Sequence, residues 1–338
     1  MKIVVLGAGA IGGIAGGYLK KKGADVSLVT RGEAVERIIE HGLRISGVRG
    51  ETVIHVPAHA NVIEKPDLVI LGTKTQDIAR AVEDNYAFIR DALILTIQNG
   101  VRADEIVSRY FPVEKILSSI VMFGATYIEP GVITHNFEGK WIIGSAFSPK
   151  PGESLISLSM ILDEAFEVMI SEDIRGMKYL KIFVNANNCI PAILGVSMQE
   201  AFSDLAVSRI SIALWKEGFD IVSGAGIKLT SLPGFPVENV TKLTSLSHDE
   251  AAKVFSGIMV NLSRDPLYGS VLQSIKRDRL SEIDYINGEF VALAEAAGRA
   301  APLNRKLCEM VHMVETGKRF YTRDELLAET KDMVPQGQ

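Results

Sequence analysis

The sequence predicts an α/β domain with a mostly parallel sheet, followed by an all-α domain. Up to about residue 172, continuous apolar runs alternate with helical patterns, as expected for parallel strands that are buried on both faces. Beyond about residue 174 the strand pattern ends and helical periodicity takes over. A chain of 338 residues also exceeds what one ordinary hydrophobic core supports. We therefore expect two domains, residues 1–172 and residues 173–338.

The elements of the first domain follow in order along the chain. The predicted parallel strands are KIVVLG, DVSLVT, DLVILGTK and LILTIQNG. Helices are predicted over residues 76–88 and 103–110. Residues 116–144 contain further strands joined by hairpin-like turns, which we expect to form an antiparallel edge of the sheet. The second domain is predicted to be helical, apart from a loop at residues 230–239.

Composition excludes some classes of function. The formal net charge is −5, whereas nucleic-acid-binding proteins usually present a basic face. No apolar run is long enough for a membrane span and no leader precedes the first strand, so we expect a cytoplasmic protein. Cys189 and Cys308 lie in apolar helical context and are expected to be free buried thiols. Histidine spacing predicts no metal site, because Pro57 separates His55 from His59 in a strand-like run.

A glycine-rich turn follows the first strand. The stretch VLGAGAIGG has the spacing G-x-G-x-x-G, directly after a strand and at the start of a helix. In that context Gly7 permits a tight turn, Gly9 lets the backbone approach a pyrophosphate, and Gly12 lets helix and strand pack closely. The alternative is a glycine-rich turn that binds no ligand. We predict a dinucleotide site of the Rossmann type, and its residues are Gly7, Ala8, Gly9, Ala10, Ile11 and Gly12.

The end of the second strand indicates which cofactor binds. An acidic residue at this position usually binds the ribose 2′-hydroxyl of NAD. Here the strand ends at Thr30 and is followed by Arg31, while the nearest acid is Glu33. A guanidinium matches the geometry of a 2′-phosphate. We therefore predict NADPH/NADP as the cofactor; the alternative is that Arg31 is only a solvated loop charge.

Two further strand ends carry polar residues. Lys74 follows DLVILGT, and Asn99 follows LILTIQ. Ligands of open α/β sheets bind outside the carboxyl ends of the strands, so both side chains are expected beside the nicotinamide half of the cofactor. Each could instead be an ordinary turn residue, since Asn–Gly is a common turn pair.

A lysine stands out in the second domain. In MKYLKIFVNANNCIPAILG, Lys181 and Asn185 are four residues apart and share one face of a helix that is otherwise apolar. Apolar surroundings disfavour a charged lysine and a nearby carboxylate reverses that effect, an arrangement that suits a proton donor. The alternative is a lysine whose ammonium group reaches water. Lys178, three residues earlier, is expected to be solvated.

The carboxylate that we expect beside Lys181 is Glu282. It lies in SEIDYING, residues 281–288, a dense polar cluster at the head of an apolar helical stripe. If the two side chains meet, each charge offsets the cost of desolvating the other. Ser270 is expected to border the same site. Asp284 is expected to cap the helix or to pair with an arginine upstream.

The chain resembles the ketopantoate reductase (2-dehydropantoate 2-reductase) family over nearly its full length. The glycine motif, Lys74, QNG with Asn99, the K-x-x-x-N of Lys181 and Asn185, and EIDYING occur in the family's order. EIDYING is the most specific of these motifs and the glycine motif the least. The resemblance implies a Rossmann domain, a helical domain, and NADPH-dependent hydride transfer that reduces 2-dehydropantoate to (R)-pantoate in pantothenate and coenzyme A biosynthesis.

The resemblance also implies a role for individual residues. Lys181 would be the general acid, and Glu282 would bind the substrate hydroxyl and hold Lys181. Lys74 and Asn99 would assist at the nicotinamide and the substrate. A serine at the position of Ser270 contacts the substrate carboxylate in the family. The implied substrate-binding residues are Asn99, Lys181, Asn185, Asn188, Ser270 and Glu282.

One position departs from the family pattern. The family usually carries a second asparagine one turn after the first, followed by proline, whereas this chain has Cys189 there and Pro191 one residue late. Asn188 is then expected to replace the missing contact through a local adjustment of the helix. The departure affects the identity of the substrate more than the type of reaction.

Alternative functions stay open at this level. A reductase of another 2-oxo acid or a β-hydroxyacid dehydrogenase uses a similar glycine motif with a helical lysine and asparagine, although SEIDYING is not expected in the latter. A regulator that senses NADPH without turnover would have no reason to keep Lys181, Asn185 and Glu282 on apolar helical faces. The expected partner is a small 2-oxo acid, with no nucleic acid and no membrane. The sequence leaves a homodimer open.

Overall fold

The chain forms two compact units. The computed structural model describes residues 1–148, 152–263 and 265–335. The units comprise Met1–Arg175 and Gly176–Gln338. In the described ranges, no helix combines the length and the apolar character that a membrane crossing requires.

The first unit combines strands and helices. Its strands are β1 (Lys2–Leu6), β2 (Asp25–Val29), β3 (Leu43–Gly47), β4 (Thr52–Ile54), β5 (Ala58–His59), β6 (Leu68–Leu71), β7 (Leu93–Thr96), β8 (Ile116–Val121), β9 (Gly124–Glu129), β10 (Val132–Phe137), β11 (Trp141–Gly144) and β12 (Val168–Ile170). Its helices are α1 (Ala10–Lys21), α2 (Glu33–His41), α3 (Ile78–Ile89), α4 (Arg102–Val107) and α5 (Glu153–Asp163). A short 3-10 helix, Thr75–Asp77, precedes α3.

The main sheet of this unit is mostly parallel. In the described residues it has eight strands in the order β12-β11-β8-β7-β6-β1-β2-β5, and only β11 and β8 pair antiparallel. Successive residues of β1 enter two different hydrophobic cores, with Ile3 and Val5 on one face and Val4 and Leu6 on the other. A strand that packs on both faces must be apolar throughout. The predicted α/β class with a mostly parallel sheet is confirmed.

Residues 116–144 form the predicted antiparallel edge only in part, since β11 pairs antiparallel with β8 and the other strands pair differently. β8 pairs parallel with β7 and lies inside the sheet. β9 and β10 form a hairpin that joins β3 and β4 in a second sheet, of order β4-β3-β10-β9 in the described residues. Helix α1 packs against this second sheet through glycines, since a Cβ on Gly13 would lie 2.2 Å from Ile133 Cδ1. The hairpin was assigned to the wrong sheet because its partner strand lies far away in the sequence.

The second unit is helical. Its helices are α6 (Ile174–Ala186), α7 (Cys189–Leu194), α8 (Met198–Ser203), α9 (Leu205–Gly224), α10 (Val237–Ser245), α11 (His248–Val260), α12 (Ser270–Ile275), α13 (Asn287–Ala296), α14 (Pro302–Gly317) and α15 (Arg323–Thr330). The predicted all-α class is confirmed. Cys189 and Cys308 are buried and free, as predicted.

An aromatic cluster joins three helices of this unit. The ring of Phe183 on α6 lies 6.2 Å from Trp215 on α9 and 5.0 Å from Phe290 on α13, measured between ring centroids. Gly218 admits the Phe290 ring, because a Cβ there would lie only 2.9 Å from it. The Trp215 Nε1 also donates to the Phe183 carbonyl at 2.9 Å. These contacts fix the part of α6 that carries Lys181.

Candidate active site

The glycine turn after β1 needs its glycines for two different reasons. Gly7 has φ +109°, and a Cβ there would lie 2.4 Å from the Thr73 amide nitrogen. A Cβ on Gly12 would lie 2.2 Å from the Gly7 carbonyl oxygen. Gly9 differs, because no atom lies within 4 Å of its Cβ position. Gly7 and Gly12 therefore serve the turn itself, and Gly9 borders open space that a ligand can approach.

The start of α1 fits a pyrophosphate. The amides of Gly7 and Ala8 donate to the Val29 carbonyl, at 2.9 and 3.1 Å. The next amides, from Gly9 through Ile11, begin α1, whose first turn carries no acidic side chain and whose N-cap has no side-chain hydrogen bond. Helix N-terminal N–H groups and the helix dipole favour an anion. The residues of this turn therefore fit the phosphates of a dinucleotide.

Arg31 lies at the same edge of the sheet as the glycine turn. It follows β2 by two residues, and β2 ends at Val29, the acceptor for that turn. Its side chain is 73% exposed, and its Nη2 lies 3.6 Å from Asp77 Oδ2. An exposed ion pair of this kind contributes little stability. A 2′-phosphate can therefore compete with Asp77 for the Arg31 guanidinium.

Gln98 connects the two other strand ends of the first unit. Its Nε2 donates to the carbonyls of Leu71 at 2.6 Å and Thr73 at 2.9 Å, across the ends of β6 and β7. Lys74 directly follows Thr73, and Asn99 directly follows Gln98. Both side chains are half-buried. The structure therefore brings Lys74 and Asn99 to one edge of the sheet. Sequence reasoning gave Gln98 no such role, although its position before Asn99 was a signal.

A buried carboxylate lies beneath the loop that carries Asn99. Asp104, in the first turn of α4, is 2% exposed. Its two oxygens accept hydrogen bonds from Thr96 Oγ1 at 2.5 Å and Ser118 Oγ at 2.7 Å. Thr96 ends β7 and Ser118 lies on β8, so Asp104 joins both strands to α4. Sequence reasoning missed this residue.

We expect Asp104→Ala to lower the free energy of unfolding of the first unit by about 2–4 kcal/mol, because the buried Ser118 hydroxyl loses its acceptor and Thr96 keeps only a 3.4 Å bond to the Leu117 carbonyl. Each unit contains one tryptophan, Trp141 and Trp215. Urea unfolding followed by fluorescence in a Trp215→Phe background therefore reports the first unit. Asp84→Ala, which removes an exposed aspartate of α3, is the matched control and should change stability by less than about 0.5 kcal/mol. Equal effects of the two changes would contradict the prediction.

Lys181 on α6 has a perturbed pKa. Burial lowers the pKa of its ammonium, the charge of Lys178 lowers it further, and Glu282 raises it, so that the pKa is about 8. Such an ammonium is protonated at neutral pH and can give up its proton readily. Asn185, one turn later, is also half-buried. Lys178 is only 3% exposed, so the prediction that it is solvated is wrong.

Glu282 acts on Lys181 from a loop, not from a helix. It precedes a short 3-10 helix, Ile283–Tyr285, and α13 begins only at Asn287. Glu282 is half-buried, and its charge reaches Lys181. Lys181 and Glu282 therefore lie within electrostatic range of each other in the second unit, although the expectation of a helix-borne Glu282 is wrong.

The neighbours of Glu282 have other partners than expected. Asp284 Oδ1 lies 2.9 Å from His312 Nε2, so its partner is a histidine of α14 and not an upstream arginine. A Cβ on Gly288 would lie 3.5 Å from Asp284 Cβ, an ordinary contact, and no close backbone approach requires this glycine. The 3-10 turn, not a continuous helix, determines where these side chains lie.

Cys189, the departure from the family pattern, lies in the interior of the second unit. It is fully buried, and burial raises the pKa of its thiol to about 12. Asn287 Nδ2 donates to Cys189 Sγ at 3.7 Å and to Asn304 Oδ1 at 3.2 Å. Cys189 is therefore an unreactive buried thiol that contacts the SEIDYING segment.

Asn188 and Ser270 lie next to each other. Asn188 belongs to the turn between α6 and α7 and is 7% exposed. Its side chain packs against Gly269, where a Cβ would lie 2.8 Å from Asn188 Cγ. Ser270 follows directly as the first residue of α12 and is exposed. Asn188 therefore supports the start of α12, and its role as a substitute substrate contact stays a prediction.

Comparison with known proteins identifies the family. Residues 3–147 match the family model described as Ketopantoate reductase PanE/ApbA, and residues 173–315 match the model of its C-terminal part. The chain belongs to the ketopantoate reductase family. It is 31% identical to the 2-dehydropantoate 2-reductase of Pyrococcus horikoshii, over 94% of this chain and 98% of that protein.

Solved structures similar to this ketopantoate reductase family member carry the names of two different activities. A family ketopantoate reductase from Ralstonia eutropha JMP134 is 26% identical with a TM-score of 0.79, over 94% of this chain and 99% of that one. A D-mandelate dehydrogenase in a ternary structure with NADH and anilino(oxo)acetate is also 26% identical, with a TM-score of 0.80 over the same shares. The D-mandelate dehydrogenase is the one of these two whose description names a bound nicotinamide cofactor, NADH.

Proposed function

We propose that this protein reduces 2-dehydropantoate to pantoate with NADPH, in pantothenate and coenzyme A biosynthesis. The observation that carries the proposal is Lys181, an ammonium with a pKa of about 8, which the negative charge of Glu282 raises against the effect of burial. The glycine turn and the start of α1 support it, because they fit the phosphates of a dinucleotide. The curated relative from Pyrococcus horikoshii carries the name of this activity.

The proposed chemistry assigns a proton transfer to the second unit. When bound, NADPH supplies a hydride to C2 of the 2-oxo acid and is oxidised to NADP⁺. Negative charge builds on the carbonyl oxygen as the C2–H bond forms, and Lys181 Nζ donates its proton to that oxygen. The product is the 2-hydroxy acid, and the lysine regains a proton from solvent. Glu282 accepts a hydrogen bond from the hydroxyl of the substrate.

A second candidate substrate is a bulkier 2-oxo acid. The similarity to a D-mandelate dehydrogenase with bound NADH supports this candidate. The exposed Asp77 beside Arg31 supports it too, since a carboxylate near the ribose can bind a free 2′-hydroxyl. In this alternative the proton donor and the type of reaction are the same, and the substrate and cofactor differ.

Steady-state kinetics with two substrates and two cofactors separates the candidates. Ketopantoate and benzoylformate, the 2-oxo acid that corresponds to mandelate, are each assayed with NADPH and with NADH. We expect the highest kcat/KM for ketopantoate with NADPH. A higher value for benzoylformate with NADH would favour the second candidate, and no oxidation of either cofactor would contradict both.

We expect Arg31→Ala to weaken NADPH binding by roughly tenfold to a hundredfold, because a charge-assisted contact to phosphate is worth about 1.5–3 kcal/mol. NADH binding should change little, since NADH has no 2′-phosphate. Fluorescence titration with each cofactor measures both affinities. Arg37→Ala is the control, because Arg37 is half-exposed and paired with Glu33 at 2.8 Å. Equal losses for NADPH and NADH would rule out this role of Arg31.

A further inference from the structure

The loop that carries Glu282 is attached to α14 on both sides. Before Glu282, the Ser281 amide donates to Glu315 Oε1 at 2.6 Å. After it, Asp284 Oδ1 lies 2.9 Å from His312 Nε2. His312 Nδ1 in turn lies 3.0 Å from Glu315 Oε2. These contacts form one continuous chain of hydrogen bonds around Glu282, which we name the α14 clamp: Ser281, Glu315, His312 and Asp284.

The clamp joins charged groups that range from the buried Glu315 to Asp284, whose side chain is 60% exposed. The side chain of Glu315 is 3% exposed and that of His312 is 43% exposed. Both ring nitrogens of His312 face carboxylate oxygens, and only the imidazolium form donates through both. Burial lowers the pKa of His312, but the hydrogen bonds to Asp284 and Glu315 outweigh that effect, and the pKa lies above its ordinary value. Below the pKa of His312 the clamp therefore holds one cation between two anions.

The helix that provides the clamp is itself anchored. The amides of Leu303 and Asn304, in the first turn of α14, donate to the Glu217 carboxylate of α9 at 3.0 and 2.8 Å. Charge-assisted bonds to helix N-terminal amides stabilise such a turn. Glu282 thus lies on a short loop between two attachment points on a fixed helix. Its own carbonyl accepts the Tyr285 amide at 3.0 Å, which closes the 3-10 turn.

We propose that His312 and Glu315 are positioning residues that hold Glu282 where its carboxylate acts on Lys181 and on the substrate hydroxyl. The inference rests on the proposed function of Lys181 and Glu282. In this mechanism His312 and Glu315 act through Glu282. A loop without the clamp lets the carboxylate move, and a displacement of about 1 Å near a reacting group can cost up to about 10²-fold in rate.

The test compares His312→Leu and Glu315→Gln with the wild type. His312→Leu removes the cation of the clamp, and Glu315→Gln keeps an acceptor for Ser281 but removes the charge that faces His312. In both variants KM for a hydroxyl-bearing 2-oxo acid should rise by about tenfold, because a displaced Glu282 loses part of its hydrogen bond to the substrate hydroxyl. The alkaline limb of the kcat profile, set by Lys181 with Lys178 and Glu282 as its charged neighbours, should move to lower pH. NADPH affinity should be unchanged.

Double variants distinguish positioning from general stabilisation. In a Glu282→Gln background, His312→Leu should move the alkaline limb no further, because the group that it positions has already lost its charge. Arg305→Gln is the matched control: Arg305 lies on α14 outside the clamp, and the change breaks its 2.7 Å pair with Glu295 of α13. It should leave KM and the pH profile unchanged.

Several results would overturn the inference. One such result is that folded His312→Leu and Glu315→Gln both keep the KM and the alkaline limb of the wild type, whatever their melting temperatures. If His312→Leu does not fold, Glu315→Gln decides alone. If no 2-oxo acid supports NADPH oxidation by the wild-type protein, the proposed function is wrong and this inference falls with it. A wild type that turns over normally while the clamp variants match it would remove the inference alone.

Discussion

Replacing Lys181 with alanine is expected to lower kcat for a 2-oxo acid by about 10²–10⁴-fold, the usual contribution of a positioned proton donor. With a pKa of about 8, most of the lysine is protonated at neutral pH and ready to donate. NADPH affinity should barely change, because the glycine turn belongs to Met1–Arg175 and Lys181 to the other unit. Steady-state kinetics measures kcat, and a fluorescence titration measures the affinity for NADPH.

Lys181→Arg tests whether a positive charge that cannot donate its proton supports the reaction. The guanidinium keeps the positive charge but does not release a proton in an accessible pH range. This variant should therefore be nearly as slow as Lys181→Ala, and its profile should lack the alkaline limb near pH 8. Lys306→Ala, which removes a lysine that pairs with Glu329 on the helical unit's surface, should keep the wild-type kcat. A kcat for Lys181→Ala within a few-fold of the wild type would mean that another group donates the proton.

The local signals of the sequence predict the main sheet well. The strands β1, β6 and β7 are apolar apart from Lys2 and Thr96 at their ends, because their two faces enter different cores. That property is visible in a short window of sequence. The second sheet has no such signal. Its register pairs Ile133 with Ile45, and a half-exposed strand carries no record of a partner so distant in sequence. The sequence therefore revealed the strands of the hairpin but not their sheet.

In the candidate site, too, the residues with a local sequence signal were predicted and those without one were missed. Lys181 stood out because an apolar helical face surrounds it, and Glu282 because polar groups are dense at one end of a stripe. Asp104 and His312 carried no such signal, since their partners come from other elements of the fold. Lys178 was predicted to be solvated because it was considered without its neighbours. It lies three residues before Lys181 on nearly the same helix face, and Lys178 is buried while Lys181 is half-buried.

Replacing Glu282 with glutamine is expected to move the alkaline limb of the kcat profile to lower pH. Burial and the charge of Lys178 lower the pKa of Lys181, and the charge of Glu282 raises it. The amide keeps the shape of the side chain but not its charge, so the pKa of Lys181 should fall below about 8. The protonated acid is then lost at a lower pH than in the wild type. Profiles of kcat against pH, recorded at saturating NADPH, measure the shift.

Glu282→Ala also tests the contact to the substrate. The variant loses the acceptor for the substrate hydroxyl, so KM for a hydroxyl-bearing 2-oxo acid should rise by roughly tenfold to a hundredfold. A 2-oxo acid without the hydroxyl should show a much smaller change. Glu295→Ala, which removes an exposed glutamate of α13, is the control and should leave both KM values unchanged.

The two catalytic replacements should not be additive. Glu282 acts on the reaction partly through the protonation of Lys181, so Lys181→Ala removes one route by which Glu282 contributes. The double variant Lys181→Ala with Glu282→Ala should therefore cost less in kcat/KM than the sum of the two single free-energy losses, as expected for residues that interact. Strict additivity, together with an alkaline limb that Glu282→Gln does not move, would show that the charge of Glu282 does not act on Lys181 during turnover. The role of the dense polar cluster of SEIDYING would then be to attach this segment to α14, through Ser281 and Asp284.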